Sequence, residues 1–586
     1  MNFLAEYSMP LACMLLLAAF FISLPDLRHC SLLDKDKSRF RLQRADALIM
    51  AVISLAYGAV AFYRLGNTRS PESFVNMENK TALVELQYSE ERVSRLMIYT
   101  GIGIGSYSIE YTTDGSDNYV LAQFEQSHAE DLKWHDVALD YYISGGTIKI
   151  SGTGNVWLGE VVALTADGKL IGCSSSTDPG LCDEWQLCPA KSDFMNSSYF
   201  DEIYHARTAW EHLEGIYPYE ITHPPLGKII IGLGISLFGM TPFGWRFSGT
   251  FFGVLMLPVM YVFAKKLFGG RAVPTACTLL MATDFMHFVQ TRIATIDTYG
   301  VFFILLMYLF MYLFISEGRW RDLALSGVFF GLGAASKWTC LYAGAGLGII
   351  WLCYVVHKLR KSEMDFKGFL KLSGFCVIFF VLIPGLIYYL SYIPYGIATG
   401  HKNIFSADYL RIVLDNQSYM FNYHAGVVSE HPYSSRWYQW LLDIRPILYY
   451  LEYFDNGTRS SFGAFVNPVL CWGGLISLFF LGYIAIGRRD MRSGFILFAY
   501  LAQLVPWMAI ERLTFAYHYF PCTVFLALSL GQSFNVIRLN QKNWQFKLGA
   551  FVLGSGALFL LFYPALSGAP VASDIRSLGW LPTWPF

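Results

Sequence analysis

An adjacent pair of acidic residues, Asp201 and Glu202, stands in a chain whose other long segments are mostly apolar. His223 and Lys228 follow in the stretch His223-Pro-Pro-Leu-Gly-Lys228. Acids held just outside a bilayer lie where a membrane enzyme needs a base, because a carboxylate there can take a proton from a hydroxyl group. The motif therefore predicts a catalytic role, with Asp201 as the base and Glu202 as its support.

Ionisable residues at the outer ends of the predicted membrane spans form a second group of candidates: Arg64, Arg292, Asp297, Lys337, Arg512 and His518. Such residues are costly at membrane depth, so those that occur are functional candidates by default. A carboxylate base with several cations suits attack on a group linked to a lipid phosphate. The cations hold the phosphate and offset its charge as it leaves. A phosphate diester is already a good leaving group, so no general acid is needed.

Structural roles for the same residues are also open. Asp201 and Glu202 could only cap the helix that follows them, since acids favour a helix N-terminus. Arg64, Arg246 and Arg292 could be anchors whose charged ends reach the membrane surface. We expect this for Arg246 but less for Arg292, because Asp297 lies near the same face.

Composition sets the class of the protein: 54% of the 586 residues are hydrophobic and only 15% are charged, with repeated apolar runs of helical-span length. The chain is predicted to be a polytopic α-helical membrane protein. Its basic residues are scattered into short loops, so a nucleic-acid partner is not expected. About twelve transmembrane helices are expected, at roughly 9–25, 46–63, 247–264, 272–289, 297–315, 322–336, 339–356, 369–390, 463–486, 494–510, 516–535 and 548–565.

Lysine and arginine residues are concentrated in alternate loops, the first of them at 26–44. These loops are all cytoplasmic if both termini lie outside. The run 226–240 would break the alternation if it spanned, so we expect a helix at the outer interface there. Asp201 and the charged span ends then reach the same outer leaflet.

Residues 66–180 alternate between apolar and polar side chains and contain turn signals at Asp114-Gly115 and Asp167-Gly168. This pattern predicts an antiparallel, extracytoplasmic β-sandwich inserted in the first external loop. The run from Arg95 to Gly115 resembles a discoidin-type, galactose-binding-like jelly roll. Its loops could bind a glycan or calcium, but a spacer or docking role is the expectation.

A second external region, at 392–462, is aromatic and irregular, and long ordered loops of this kind are usually functional. We expect it to help roof the site. The expected organisation is two N-terminal spans with a basic cytoplasmic loop at 1–65, the β-sandwich at 66–180, an external loop with the acidic motif and interfacial helices at 181–246, transmembrane helices 3–8 at 247–391, the aromatic loop at 392–462, a four-helix transmembrane region at 463–567 and an external tail at 568–586.

Three cysteines, Cys173, Cys182 and Cys188, lie in an external segment just before the acidic motif. An external compartment permits a disulfide. We predict a bond between Cys182 and Cys188, with Cys173 free. No histidine or fourth cysteine has the spacing of a zinc site nearby.

A series of short motifs follows one order along the chain: Tyr63-Arg64-Leu65-Gly66, Phe200-Asp201-Glu202, His223-Pro-Pro-Leu-Gly-Lys228, Phe243-Gly244-Trp245-Arg246, Thr291-Arg292 through Asp297, Ser336-Lys337-Trp338-Thr339, Ser435-Arg436 through Trp440, and Tyr517-His518 through Pro521. This order resembles the protein O-mannosyltransferases, which use dolichyl- or polyprenyl-phosphate mannose. The resemblance covers roughly 45–65 and 199–565. It implies the GT-C glycosyltransferase fold, a polyprenyl-phosphate-linked sugar donor, and inverting transfer to Ser or Thr hydroxyls of proteins.

Residue by residue, the resemblance makes Asp201 the base and Glu202 its neighbour. Arg64, Arg292 and Lys337 match basic positions that support the site or the donor phosphate, and Asp297 is grouped with them. Contacts with the acceptor or the loops are expected from His223, Lys228, Arg436, Trp437, Arg512 and His518. The resemblance requires no cofactor and leaves a divalent metal open.

Two departures from the family bear on the acceptor and the source. The region 392–462 has no room for the MIR repeats of eukaryotic members, so a prokaryotic cell membrane with an external active site is expected, with the endoplasmic reticulum as the alternative. The inserted β-sandwich could present a different acceptor, so transfer to a lipid or a cell-wall glycan remains open. A glycan-binding receptor or a transporter is the alternative from another class. The expected partners are the lipid-linked donor, a protein or peptide acceptor and the bilayer, and a dimer is left open.

Overall fold

A computed structural model describes residues 8–22, 31–32, 37–87, 92–112, 118–426, 430–454, 456–572 and 578–585. The chain forms two compact units. The helical unit contains Met1–Tyr63, Glu220–Ile229 and Gly249–Phe586, and the sheet unit contains Arg64–Tyr219 and Ile230–Ser248.

The helical unit is built from apolar helices, as the composition predicts. Eight helices are long and apolar enough to cross a membrane: Ser38–Phe62, Pro242–Phe268, Asp297–Glu317, Thr339–Arg360, Phe366–Ala398, Pro468–Gly487, Ala516–Asn540 and Trp544–Ser567. The prediction of a multi-pass membrane protein is therefore confirmed. The count of twelve spans and the orientation of the helices stay predictions.

Several predicted spans contain shorter helices. The predicted span 272–289 is interrupted, because helix Ala272–Ala282 ends at Thr283 and Asp284 then caps helix Phe285–Gln290 by accepting a hydrogen bond from the N–H of His287. Other short helices at predicted spans are Ser8–Ile22, Trp320–Ser336 and Met491–Leu504.

The centre of the helical unit is formed by helices that are apolar on all sides. Buried residues make up 94% of the apolar window of Ala516–Asn540 and 78% of that of Asp297–Glu317. Ala516–Asn540 packs against Pro468–Gly487, Met491–Leu504 and Ala272–Ala282.

The region 392–462 is more regular than predicted. It contains helices Ile393–Ala398, Ala407–Gly426 and Trp437–Leu441, followed by the antiparallel strands Ile447–Tyr453 and Thr458–Ala464. The expectation of an irregular loop is wrong because its aromatic residues pack: Tyr392 and Tyr409 are buried in one cluster.

The sheet unit contains an eight-stranded antiparallel sheet, which confirms the predicted β-domain. We label its strands β1 to β8 in chain order: Val75–Asn76, Thr81–Leu86, Val93–Thr112, Asn118–Gln126, Trp134–Ile143, Gly146–Thr165, Leu170–Ile171 and Cys173–Ser176.

The two longest strands, β3 and β6, pair along most of their length, with Ile109 opposite Ile150. Apolar residues from both strands are buried in the largest core cluster of the sheet, as alternating side chains require. The chain turns at Asp167-Gly168 with Gly168 at φ +85°, as predicted. A jelly-roll topology stays a prediction.

Some predictions concern residues outside those that the structure describes. These are the turn at Asp114-Gly115, the basic residues Arg28 and Lys35 of the first loop, the end of the first span at 23–25, and parts of the tail at 573–577 and 586. The helix predicted at 226–240 is observed as Leu226–Phe238, while its position at the membrane interface stays a prediction.

The predicted disulfide between Cys182 and Cys188 is wrong. Cys182 is bonded to Cys173, with their Cα atoms 5.7 Å apart. Cys173 begins the edge strand β8, which brings it beside the short turn that ends at Cys182. Cys188 is a free thiol, buried in a cluster with Tyr99 and Trp134. Spacing alone could not identify which cysteine becomes a core residue.

Candidate functional site

The acidic motif begins at a strained turn of the sheet unit. Phe200 has a φ of +47°, a left-handed conformation that costs a non-glycine residue about 1–3 kcal/mol. Asp201 is the N-cap of helix Glu202–Glu214, but its side chain makes no capping hydrogen bond. Asp201 is also partly exposed. The carboxylate of Asp201 therefore does not have the helix-capping role that the structural alternative predicts.

Glu202 is fully buried and forms a two-pronged ion pair with Arg246. The guanidinium Nε and Nη2 donate to the two carboxylate oxygens of Glu202, each at 2.7 Å. The remaining donors of Arg246 reach the carbonyls of three other segments, at Leu65 (2.8 Å), Phe194 (2.6 Å) and Ser197 (3.0 Å).

The expectation that Arg246 is a surface anchor is therefore wrong. Its side chain is 1% exposed and lies over the ring of Tyr199 at 4.8 Å. Bidentate pairs between arginine and carboxylate add geometric specificity as well as energy. The pair fixes the chain on both sides of Asp201, so Arg246 and Glu202 position the acidic motif.

Arg64 also lies in the sheet unit, with a φ of +51°. The neighbouring carbonyl of Leu65 is held by Arg246. Burial raises the pKa of Asp193, and the positive charges of Arg64 and Arg246 oppose that increase. Arg64 therefore belongs to the same electrostatic group as the acidic motif.

Lys337 and Asp297 form the central ion pair of the helical unit. Their Nζ and Oδ1 atoms are 2.6 Å apart, and both side chains are almost buried. The ammonium also lies 5.6 Å from the ring centre of Tyr517. The structure thus pairs Asp297 with Lys337, whereas the sequence had suggested Arg292 as its neighbour.

Arg292 has a different environment. Its Nε and Nη2 donate to the carbonyls of Ala61 and Tyr63, both at 3.0 Å. The guanidinium lies 4.8 Å from the ring centre of Phe288. These contacts tie the end of helix Arg44–Phe62 to the segment that contains Arg292, which supports a structural role within the site.

Glu220 organises the stretch from His223 to Lys228. Its carboxylate pairs with His223 Nδ1 at 3.0 Å and with the buried ammonium of Lys228. Lys228 also donates to the carbonyls of Glu220 and His223. At Gly227 an added Cβ would lie 2.7 Å from the side chain of Ile296, so glycine permits this close packing. The ammonium of Lys228 is buried and donates to these groups, so its observed contacts stabilise the fold of this stretch.

His424 contacts this stretch from helix Ala407–Gly426. Its Nε2 lies 2.8 Å from the carbonyl of Thr222, and its ring centre is 5.0 Å from that of His223. Burial lowers the pKa of His424 to about 4, and nearby positive charges lower it further. His424 is therefore neutral near pH 7, and it can bind only through hydrogen bonds.

Several basic residues of the helical unit converge on one place. The charges of Lys337, Arg512 and His223 all act on His424. The same three residues act on the buried His518. His518 lies among aromatic rings: its ring centre is 4.4 Å from that of Trp507 and 4.6 Å from that of Tyr517. The arrangement brings positive charge from several side chains together, and phosphates are recognised by charge-assisted hydrogen bonds from such groups.

A cavity of about 930 Å³ is lined in part by Arg512, one of these basic residues. Arg436, Arg512, Glu511 and His431 are among its lining residues. Arg436 Nη1 donates to the carbonyl of Glu511 at 3.0 Å, which joins the two lining segments. Trp437 is not a lining residue and packs against Tyr438. The volume is within the range of ligand sites, about 300–1,000 Å³.

Sequence reasoning missed Glu220 and His424 as parts of the site. Glu220 lies just before the His223–Lys228 motif and pairs with residues of that motif, whereas His424 depends on a partner 202 residues away. Their only signal was a charged or imidazole side chain close to an aromatic external segment. Within the described residues, Asp201 and Glu202 are not part of a group that could hold a metal ion; such a group occurs at Glu160, Asp183 and Glu184.

Comparison with known proteins gives matches along most of the chain. Residues 222–388 match the family model for dolichyl-phosphate-mannose-protein mannosyltransferase, and residues 409–584 match the C-terminal four-transmembrane region of protein O-mannosyltransferase. The chain is 27% identical to the polyprenol-phosphate-mannose–protein mannosyltransferase of Mycolicibacterium smegmatis, over 72% of this chain and 92% of that protein.

A protein of the same name from Mycobacterium tuberculosis is 26% identical, over 66% of this chain and 86% of that protein. Among solved structures, the Saccharomyces cerevisiae protein O-mannosyltransferase Pmt1-Pmt2 complex bound to the sugar donor aligns with a TM-score of 0.60. That alignment covers 67% of this chain and 90% of the solved chain, at 13% identity. It confirms the predicted GT-C membrane fold.

Proposed function

The chain belongs to the protein O-mannosyltransferase family, and we propose that it transfers mannose from a polyprenyl-phosphate donor to Ser or Thr hydroxyls of proteins. It is a glycosyltransferase of the inverting type. The observation that carries this function is that Lys337, Arg512 and His223 lie near enough to His424 and His518 for their charges to act on both imidazoles; Lys337 Nζ is 5.6 Å from the ring centre of Tyr517, which is 4.6 Å from that of His518. Three basic residues at one place suit a donor whose leaving group is a phosphate.

Asp201 is the proposed general base. Its carboxylate is partly exposed and does not cap the helix that it precedes. The acceptor hydroxyl would give its proton to this carboxylate while the oxygen attacks the anomeric carbon, and the bond from that carbon to the phosphate oxygen would break. The attack comes from the face opposite the phosphate, so the anomeric configuration inverts.

Glu202 supports the base without sharing its role. Its two carboxylate oxygens are occupied by Arg246. Oxygens that already accept hydrogen bonds from a guanidinium are poorly placed to accept a proton from the acceptor hydroxyl as well. We assign it, with Arg246, to positioning.

The donor phosphate is assigned to Lys337, with Arg512 and His223 as further contacts. Lys337 keeps one donor bond to Asp297, and an ammonium has two more protons to donate. Removing one charge-assisted contact costs about 1–3 kcal/mol. Arg292 is assigned to positioning, because its guanidinium donates to two backbone carbonyls.

The acceptor can be tested directly. Purified protein would be incubated with polyprenyl-phosphate mannose and either a Ser/Thr peptide library or lipid and cell-wall glycan acceptors, and products would be identified by mass spectrometry. We expect mannosyl peptides that lose the sugar under β-elimination. Mannose found only on lipid or glycan would contradict protein as the acceptor and support the same-fold alternative.

A prokaryotic cell membrane, with the acidic motif outside, is the proposed location. The mycobacterial relatives support the prokaryotic origin, since the chain aligns with 86–92% of their lengths, and the orientation rests on the distribution of basic residues in the loops. A cysteine introduced at an exposed position of the sheet unit, such as Asp140, should react with a membrane-impermeant maleimide on intact cells. Reaction only after lysis would contradict this orientation. Pairing of two copies stays a prediction.

A further inference from the structure

A group of acidic residues lies in the sheet unit and is not used by the proposed transferase chemistry. Glu160 belongs to strand β6, and Asp183 and Glu184 follow the disulfide-bonded Cys182. One carboxylate oxygen from each of the three residues lies within 4.8 Å of the other two. Like charges at this separation repel one another, and the repulsion is least screened at a buried member of the group.

Glu160 is the unusual member of the group. Its side chain is 0% exposed. Its Oε2 accepts a hydrogen bond from the backbone N–H of Glu184 at 2.9 Å, so the carboxylate faces the Asp183–Glu184 segment. Its Oε1 is buried and has no hydrogen-bond partner within the part of the chain that the structure describes. A buried oxygen without a partner costs about 1–3 kcal/mol, and more when it is charged.

The other two acids are held in place by a separate segment. Glu184 Oε2 accepts from the backbone N–H groups of Glu72 and Ser73, at 2.7 Å and 3.2 Å. Asp183 Oδ2 accepts from Ser73 Oγ at 3.0 Å. The charged groups that act on Glu160 are Asp183 and Glu184, both of its own sign, while the backbone N–H groups of Glu184 and Val161 partly stabilise its charged form. The group is thus fixed in geometry while its negative charge is not balanced.

We propose that Glu160, Asp183 and Glu184 form a binding site for a divalent cation, with Ca²⁺ as the ion that fits best. All three ligands are carboxylates, and Ca²⁺ takes about 6–8 oxygen ligands in flexible geometry, with water completing the shell. The ion would join strand β6 to two segments, one at Glu72 and Ser73 and one after Cys182. Its role is structural, since it would stabilise the sheet unit.

A shared proton is the competing explanation. Burial raises the pKa of Glu160 to about 8, with smaller contributions from the two neighbouring acids. A neutral Glu160 would donate a hydrogen bond to a neighbouring carboxylate and would need no ion. If a cation is bound, removing the charge at Glu160 weakens its binding. If a proton is shared, the protein binds no cation and there is no binding to weaken.

The test uses the full-length protein in detergent, first treated with EDTA and then titrated with Tb³⁺ and Ca²⁺. Trp185 is adjacent to Glu184 and can sensitise Tb³⁺ luminescence. We expect Tb³⁺ luminescence that Ca²⁺ displaces, and a melting temperature that Ca²⁺ raises. Glu160→Gln should weaken Ca²⁺ binding at least tenfold, while Glu125→Gln, an exposed acid of strand β4, should bind as the unchanged protein does.

Three outcomes would overturn the proposal. The first is the absence of a Tb³⁺ luminescence signal that Ca²⁺ can displace. The second is an unchanged Ca²⁺ titration in Glu160→Gln. The third is an unchanged protein whose melting temperature in EDTA is not raised by Ca²⁺, which would leave the shared proton as the explanation. If Glu160→Gln does not fold, the exposed Asp183→Asn decides between the same outcomes.

Discussion

The buried pair of Glu202 and Arg246 gives the sharpest prediction about how Asp201 is held. Replacing Arg246 with methionine keeps the length of the side chain but removes both hydrogen bonds to Glu202, each 2.7 Å long. It also removes the bonds to the carbonyls of Leu65, Phe194 and Ser197. Glu202 is 0% exposed, so its charge would have neither solvent nor partner.

Breaking a buried ion pair by removing one partner costs about 3–5 kcal/mol, because the other charge stays buried. We expect a loss of this size in the free energy of local opening of residues 199–206. The double variant Arg246→Met, Glu202→Leu leaves no unpaired charge, so it should recover at least about 1.5 kcal/mol relative to the sum of the single variants.

Hydrogen exchange measured by mass spectrometry reports the opening free energy of this segment directly. Strands β3 and β6 serve as the internal control, since their exchange should change less. A loss below about 1 kcal/mol in Arg246→Met, or purely additive losses in the double variant, would refute the positioning role of the pair.

Two further predictions concern the donor site and the disulfide. Lys337→Ala should lower kcat/KM for polyprenyl-phosphate mannose by roughly 5- to 150-fold, the equivalent of about 1–3 kcal/mol. As a control, replacing the exposed Lys402 with alanine should change kcat/KM less than about twofold. Equal effects of the two variants would contradict the contact between Lys337 and the phosphate. Cys182→Ser should leave Cys173 reactive to alkylation and lower the stability of the sheet unit by about 2–3 kcal/mol. Cys188→Ser should leave the bond intact, and an unreactive Cys173 in Cys182→Ser would contradict the observed pairing.

Local patterns in the sequence predicted the elements well where one physical cause dominates. Long apolar runs became helices, and the alternating residues of 66–180 became an antiparallel sheet. The interruption at Thr283 and Asp284 was not predicted, because hydropathy averages over the cap that Asp284 provides. The regular structure in 392–462 was not predicted for a similar reason, since its aromatic side chains do not repeat with the period of a helix or of a strand.

Pairing between distant residues was much harder to predict. The sequence predicts Lys337 as a site residue because a charged side chain is costly in a membrane. It also places Asp297 near Arg292, whereas the structure pairs Asp297 with Lys337. Arg246 looked like a surface anchor because nothing near it in sequence is acidic, whereas Glu202 is its partner in space. The disulfide error has the same origin, since the choice among three cysteines depends on which one the sheet buries.

The central claim is that Asp201 takes the proton from the acceptor hydroxyl. It is tested most directly by single-turnover transfer from radiolabelled polyprenyl-phosphate mannose to a Ser/Thr peptide, with donor binding measured in the same preparation. Asp201→Asn should bind the donor with an unchanged Kd and transfer at least about 100-fold more slowly, the usual contribution of a general base, while the exposed Asp140→Asn should match the unchanged enzyme. A transfer rate for Asp201→Asn within about threefold of the unchanged enzyme, far less than the loss of a general base allows, would contradict the assignment.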